Sequence, residues 1–328
     1  MNLLLRLENL KAGYLLRSPN GCKIVPAVDG VSLDVLNNEI YGIAGESGSG
    51  KSTLLKAVFV TAVEPPLRIF GGKVYYYPWG REVNIFDLPE SEKKRLTWQY
   101  ISYIPQGSMS IFNPIRRIKA TFLDFFRSHV EGREDELLKM TREHIRTLGL
   151  GSEVLDAYPH QLSGGMRQRL AIALATLLKP KVILADEPTT ALDVVAQKAV
   201  IQLLKEIQKE SHNTVVLVTH DMGVHANITT RMAIMYAGRI VEEGPTQDIF
   251  KEPLHPYTKY LIDSLPRIGD KQVREGVPGN PPSFLNLPAG CAFHPRCPYA
   301  LELCKKETPS LVSVGAERKV ACWLRSGR

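Results

Sequence analysis

The sequence predicts an α/β fold: a mostly parallel sheet carrying a phosphate-binding loop, an antiparallel β subdomain, a helical subdomain, and a small loop-rich C-terminal metal-binding domain. Three observations predict it. Gly45-Glu46-Ser47-Gly48-Ser49-Gly50-Lys51-Ser52-Thr53 lies between the apolar run Ile40–Ala44 and the helical pattern that starts Leu54-Leu55-Lys56, which is the strand–loop–helix setting of a P-loop. Two more short apolar runs, Lys181–Glu187 and Thr214–His220, each end in polar residues, as central parallel strands do at a ligand crevice. Beyond Pro253 proline and glycine become frequent, and four of the five cysteines lie there.

At 328 residues and 44% apolar content the chain is long enough for one large α/β domain and a smaller appendage. The net charge of +7 comes from Lys and Arg scattered among Asp and Glu, without an aromatic-studded basic stripe, so no nucleic-acid partner is expected. No run approaches the roughly eighteen apolar residues of a membrane helix, and Arg6 and Glu8 interrupt the opening leucines. A cytosolic, non-spanning chain is the expectation, and in a reducing compartment clustered cysteines point to metal before disulfides.

In chain order, residues 2–10 and 31–35 alternate apolar with polar as half-buried antiparallel strands, with Pro19-Asn20-Gly21 between them. Tyr14 follows the first strand. The P-loop helix is expected to give way at Pro65-Pro66 and a further strand to start at Gly71-Gly72-Lys73. Tyr100–Pro105 reads as a strand that delivers Gln106 to its carboxyl end. Ile115–Gly149 reads as helical, with Phe122, Phe125, Phe126, Leu137, Leu138, Ile145 and Leu148 as core contacts. Arg231–Val241 reads as a hairpin about Gly238, followed by a short helix after Pro245.

The chemistry follows from residue types. Gly45, Gly48 and Gly50 let the backbone curl with its N–H groups inward, where Ser47 and Ser49 and the N-terminus of the next helix also favour an oligophosphate. Lys51 reaches the β- and γ-phosphates, and the Ser52 hydroxyl supplies a ligand to Mg²⁺, with Thr53 beside it. Asp186 and Glu187 divide their work: the first holds Mg²⁺ through water, the second orients or deprotonates the water that attacks phosphorus. Ser163-Gly164-Gly165 opens a helix and reads either as an ordinary N-cap or as a second anion site facing the nucleotide of another subunit in a head-to-tail dimer. Cys291, Cys297, Cys304 and Cys322 suit zinc or an iron–sulfur cluster. They lack the close pairs of zinc ribbons, so the spacing leans away from zinc without excluding it.

Taken together, the P-loop, Gln106, Leu162–Arg169, Val182–Glu187, Ala191-Leu192-Asp193 and His220 resemble the ATP-binding cassette (ABC) ATPases over residues 1 to about 250. Met166 and His255-Pro256-Tyr257-Thr258 are similar to the oligopeptide/dipeptide importer type. The resemblance implies a P-loop ATPase core at residues 1–250, with its helical subdomain at about 107–180, and an oligopeptide-transporter-type C-terminal domain at 251–328. It implies ATP and Mg²⁺ as cofactors, with Tyr14 stacked on adenine and Gln106 contacting Mg²⁺ and sensing a membrane partner. Asp193 would couple two sites across a dimer, and His220 would contact the γ-phosphate. It adds weight to a [4Fe-4S] cluster on the four cysteines, with zinc as the alternative. The implied partners are a second ATPase subunit, two transmembrane permease subunits and an extracytoplasmic solute-binding protein, at the cytoplasmic face of the membrane. Peptides lead as cargo, with oligosaccharides or nickel as alternatives and a soluble ABC ATPase acting on nucleic acid as the different-class reading. The tail, poor in apolar runs, is expected to be tied together by its metal and to leave ATP affinity nearly untouched.

Overall fold

The structure is a computed structural model that describes residues 3–18, 21–59, 66–130, 132–265, 276–315 and 317–325. Its elements begin with β1 (Leu3–Ser18), β2 (Gly21–Leu36), β3 (Ile40–Ala44), α1 (Lys51–Val58), β4 (Leu67–Tyr76) and β5 (Val83–Asn84). Then come α2 (Glu90–Leu96), β6 (Ile101–Ile104), α3 (Ile118–His129), α4 (Glu134–Thr147), α5 (Gly164–Thr176), β7 (Val182–Asp186), α6 (Val194–Ser211) and β8 (Thr214–Val218). The chain continues with α7 (Met222–Ile228), β9 (Arg231–Tyr236), β10 (Arg239–Pro245), α8 (Thr246–Lys251), α9 (Pro256–Asp263), β11 (Val312–Ser313) and β12 (Lys319–Val320). Pro19, Asn20, Pro65 and the start of the tail at Pro266 lie outside the described residues.

Two compact units divide the chain, one made of Met1–Phe86 with Leu217–Arg328 and the other of Asp87–Val216. This division does not follow the boundary near residue 250 that composition suggests. In the first unit an antiparallel sheet runs β2-β1-β4-β5, and β1 and β2 pair far beyond the short alternating segments expected of them. A second sheet places β3 parallel to β9, with β10, β12 and β11 continuing antiparallel from β9. The β9–β10 hairpin turns on Ala237 and Gly238, both at positive φ (46° and 83°), as a two-residue turn matched to strand twist requires. Five consecutive buried residues make β3 a strand covered on both faces.

Phe293 packs with Ala44, Met232, Ile234, Tyr236, Ile249 and Tyr257 in one buried cluster, against which Cys291 and Cys297 also lie. Tail residues thus finish the core of the sheet that carries β3. A segment this poor in apolar runs buries its few large side chains best against an existing sheet.

In the second unit β6 and β7 are parallel, and β8 follows β7 in sheet order. Phe122 and Phe126 on α3 and Ile145 on α4 are fully buried, as their spacing predicts. The helical run breaks between α3 and α4, and Trp98 closes over Phe125 edge to face with ring centroids 5.3 Å apart.

Buried histidines make stability depend on pH. His225 is fully buried; its Nε2 donates to the Thr219 carbonyl at 3.2 Å, which leaves Nδ1 unprotonated and without a hydrogen-bond partner among the described residues. Burial pushes His225 down to about 4 and His255 down to about 3. Both stay neutral in the fold and take up protons when it opens. Their contribution is therefore complete above the unfolded value of about 6.5 and is lost as pH falls from there towards 4, by about 2 kcal/mol each at pH 5. Thermal midpoints measured from pH 8 to pH 5 should fall steadily below pH 6.5; a flat profile over that interval contradicts the neutral, buried assignment.

Candidate functional site

β3 ends at Ala44, and the next nine residues wrap back over the start of α1. Gly45 sits at φ 152°, where an added Cβ would lie 2.2 Å from the Met235 carbonyl oxygen. Gly50 sits at φ 104°, where a Cβ would lie 2.1 Å from the Ala27 carbonyl oxygen. Two backbones approach too closely for any side chain, and glycine is the only residue that fits at either place. The loop is held from outside by Gly238 N–H donating to Ser49 O at 2.9 Å. Lys51 is 5% exposed, and its ammonium donates to the carbonyls of Gly45 and Glu46, both at 2.8 Å, and to Ser49 Oγ at 3.3 Å. Ser52 and Thr53 occupy the first turn of α1. The Tyr14 and Thr53 hydroxyls meet at 3.1 Å, so Tyr14 belongs to the same locality as the loop. His220 follows β8 and is exposed, one residue before Asp221, whose Oδ1 caps α7 by accepting from Gly223 and Val224.

In the other unit, Asp186 ends β7 with 1% exposure, and Tyr103 Oη donates to its Oδ2 at 2.9 Å. Glu187 adopts φ 44°, a left-handed conformation that a glutamate takes only at a cost. Its Oε2 accepts from Gln106 Nε2 at 3.2 Å and from Thr190 Oγ1 at 3.0 Å. Gln106, Asp186 and Glu187 are brought together as strand-end reasoning predicts; Thr190 is a partner that reasoning did not pick out. Ser163 caps α5, its Oγ accepting from Met166 N–H at 3.2 Å, and Asp193 caps α6, its Oδ1 accepting from Ala196 N–H at 2.8 Å. A Cβ on Gly165 would lie 3.7 Å from the Ala196 Cβ, so the starts of these two helices adjoin.

A family model described as "ABC transporter" matches residues 28–190, and one described as "Oligopeptide/dipeptide transporter, C-terminal region" matches 241–304. The dipeptide transport ATP-binding protein DppD of Caldanaerobacter subterraneus is 43% identical over 99% of this chain and 98% of its own. The chain belongs to the ABC transporter family, in its oligopeptide/dipeptide branch. It is an ATPase whose hydrolysis is coupled to transport. The oligopeptide transport ATP-binding protein OppD of Salmonella typhimurium is 38% identical over 98% of this chain and 94% of its own. Among solved structures, the ABC cassette MJ0796, a dimer in a post-hydrolysis state bound to ADP and Pi, superposes with a TM-score of 0.61 and 28% identity over 74% of this chain and 99% of that one. Among the described residues of this ABC ATPase no helix is long and apolar enough to cross a membrane.

One expectation about the tail is not supported. Among the described residues no group of three or more His, Cys, Asp or Glu is arranged to hold a metal ion, so the metal-binding character expected of the tail is not supported. None of the four tail cysteines, all of them described residues, is joined in a disulfide. They do share one neighbourhood: Cys291 N–H donates to the Cys304 carbonyl at 2.8 Å, and burial pushes the Cys291 thiol up to about 11, with Cys304, Cys322 and Cys297 adding to the shift. Burial likewise raises Cys297 and Cys322. The C-terminal region also contacts the nucleotide loop. Arg296 forks onto Glu46, with Nη1 donating to Oε2 at 2.7 Å and Nη2 to Oε1 at 3.0 Å, while Glu46 N–H donates to Tyr257 Oη at 2.7 Å. The sequence places Glu46 inside the loop and Tyr257 inside the His255–Thr258 run but gives neither this role, and nothing in it singles out Arg296.

Proposed function

We propose that this ATPase energises uptake of di- or oligopeptides from the cytoplasmic face of the membrane. It would work with a second ATPase subunit, two permease subunits and an extracytoplasmic solute-binding protein. The observation that carries the catalytic part is Glu187, held in a costly backbone conformation with its carboxylate fixed by Gln106 and Thr190 beside a buried Asp186. In this reading Gly45–Thr53 cradles the phosphates of ATP, with Lys51 on the β- and γ-phosphates. Ser52, Gln106 and Asp186 serve Mg²⁺, Glu187 acts on the attacking water, His220 contacts the γ-phosphate and Tyr14 stacks on adenine. Relatives named for dipeptide and oligopeptide transport support the cargo. The ligand that co-purifies with the solute-binding subunit of the intact importer tests it: an oligosaccharide or nickel there, with no peptide, overturns the peptide assignment.

Ser163–Gly165 and Asp193 are proposed to serve the nucleotide of the second ATPase subunit, a reading supported by their adjoining helix starts and by the dimeric state of MJ0796. Specific ATPase activity should then rise steeply with protein concentration. Monomers that stay monomeric with ATP and match the turnover of the full complex rule this out.

Cys291, Cys297, Cys304 and Cys322 are proposed to hold a [4Fe-4S] cluster. The support is that the four thiols share one neighbourhood, with Cys297, Cys304 and Cys322 all acting on Cys291. When bound it would cross-link residues 291–322 and take no part in phosphoryl transfer. Anaerobic purification with iron, sulfide and zinc analysis is expected to return iron and sulfide; zinc without iron refutes the cluster.

A further inference from the structure

Every polar group of Glu46 has a partner, and the partners point two ways. Its carbonyl accepts from Lys51 Nζ at 2.8 Å and from Ser49 N–H at 3.2 Å, inside the loop. Its N–H and its carboxylate go outward to Tyr257 and Arg296. Those two side chains are built in firmly. Tyr257 is fully buried, its ring 4.6 Å from that of Tyr236 and 5.4 Å from that of Phe293. Arg296 is 8% exposed; its Nε donates to the Pro278 carbonyl at 2.6 Å, Nη2 to the carbonyls of Val277 and Gly279 at 3.2 and 3.3 Å, and Nη1 to Tyr236 Oη at 3.3 Å. A planar guanidinium saturated in this way has one orientation open to it, and its remaining fork meets a carboxylate two oxygens wide.

A carboxylate inside a phosphate-binding loop works against the loop's ligand, since like charges at short range in a partly buried site repel with little screening. Compensation of that carboxylate by a cation from elsewhere removes the penalty. We propose that Arg296 and Tyr257, supplied by the C-terminal region, are positioning residues for the nucleotide's oligophosphate: they hold Glu46, through its carbonyl they set the lysine of the loop, and Arg296 cancels the Glu46 charge. The inference rests on the reading of Gly45–Thr53 as the phosphate loop. It makes the tail part of the nucleotide site's support, one residue away from Cys297.

The test is steady-state ATP hydrolysis by the assembled importer with Arg296→Gln, Arg296→Lys, Glu46→Gln and the Arg296→Gln/Glu46→Gln pair. Arg296→Gln should raise the KM for MgATP on the order of tenfold, because it strands a partly buried carboxylate, with kcat changed far less. Arg296→Lys should recover little of this, since an ammonium cannot reproduce the fork. Adding Glu46→Gln to Arg296→Gln should bring KM back to near the wild-type value, since the uncompensated charge is then gone. A merely structural tail contact predicts a lower thermal midpoint, an unchanged KM and no rescue; that result overturns the proposal. Where Arg296→Gln does not fold, Glu46→Gln alone decides: it leaves a guanidinium beside the loop and should lower KM, and an unchanged or raised KM counts against the proposal. A wild-type importer that binds no MgATP would refute the phosphate-loop reading instead, independently of the variants.

Discussion

Glu187→Gln is expected to slow ATP turnover by about 10²- to 10⁴-fold, the range lost when a positioned general base is removed, while ATP affinity stays within about threefold of wild type. Glutamine keeps the length and shape of the side chain and one amide oxygen, so the hydrogen bonds that Gln106 and Thr190 donate to Glu187 keep an acceptor. What disappears is the negative charge that draws a proton from the attacking water. A carboxylate acting on that water stabilises the transition state and contributes little to ground-state binding, which is why kcat and affinity separate. The measurement is phosphate release by the assembled importer alongside equilibrium ATP binding on the same preparation. Phosphate release near the wild-type rate would remove Glu187 from the catalytic role.

Lys51→Ala should produce the opposite pattern, an ATP affinity weaker by about 10²-fold, because charge-assisted hydrogen bonds are worth roughly 1.5–3 kcal/mol and the lysine is used in the ground state. The ammonium is 5% exposed and sits on the Gly45 and Glu46 carbonyls, the edge of the loop it would have to serve. Its removal also leaves those carbonyls short of a donor, so a thermal midpoint is measured beside the nucleotide titration to separate lost binding from lost folding. A folded Lys51→Ala protein that binds ATP within about threefold of wild type refutes the assignment.

Features whose physics is local are legible in the chain alone. The P-loop needs glycines, a lysine and a strand–helix frame within nine successive residues, and Gly45 and Gly50 prove to be glycines because carbonyls of Met235 and Ala27 stand against them. Asp186, Glu187 and Gln106 were legible for a similar reason: an apolar run that stops abruptly at polar residues puts them at a strand's end. Ser163 was legible as a helix start and caps its helix, while Asp193, named only through the resemblance, caps another.

The remaining features arise from packing between distant segments. Arg296 meets Glu46 across 250 residues of chain, and no periodicity or spacing links two positions so far apart. Composition marked the tail as a separate, metal-tied piece because it counts apolar residues; packing joined Phe293 to the core beneath β3 because one aromatic ring on an existing apolar surface buries more than it can in a loop. Nothing in the sequence singles out His225, yet it lies buried against Gly42, where an added Cβ would come within 2.5 Å of its Nδ1. Burial is a property of what surrounds a residue, and the surroundings are assembled from distant segments, so the charge state of His225 and the partner of Glu46 became visible only when the chain was folded.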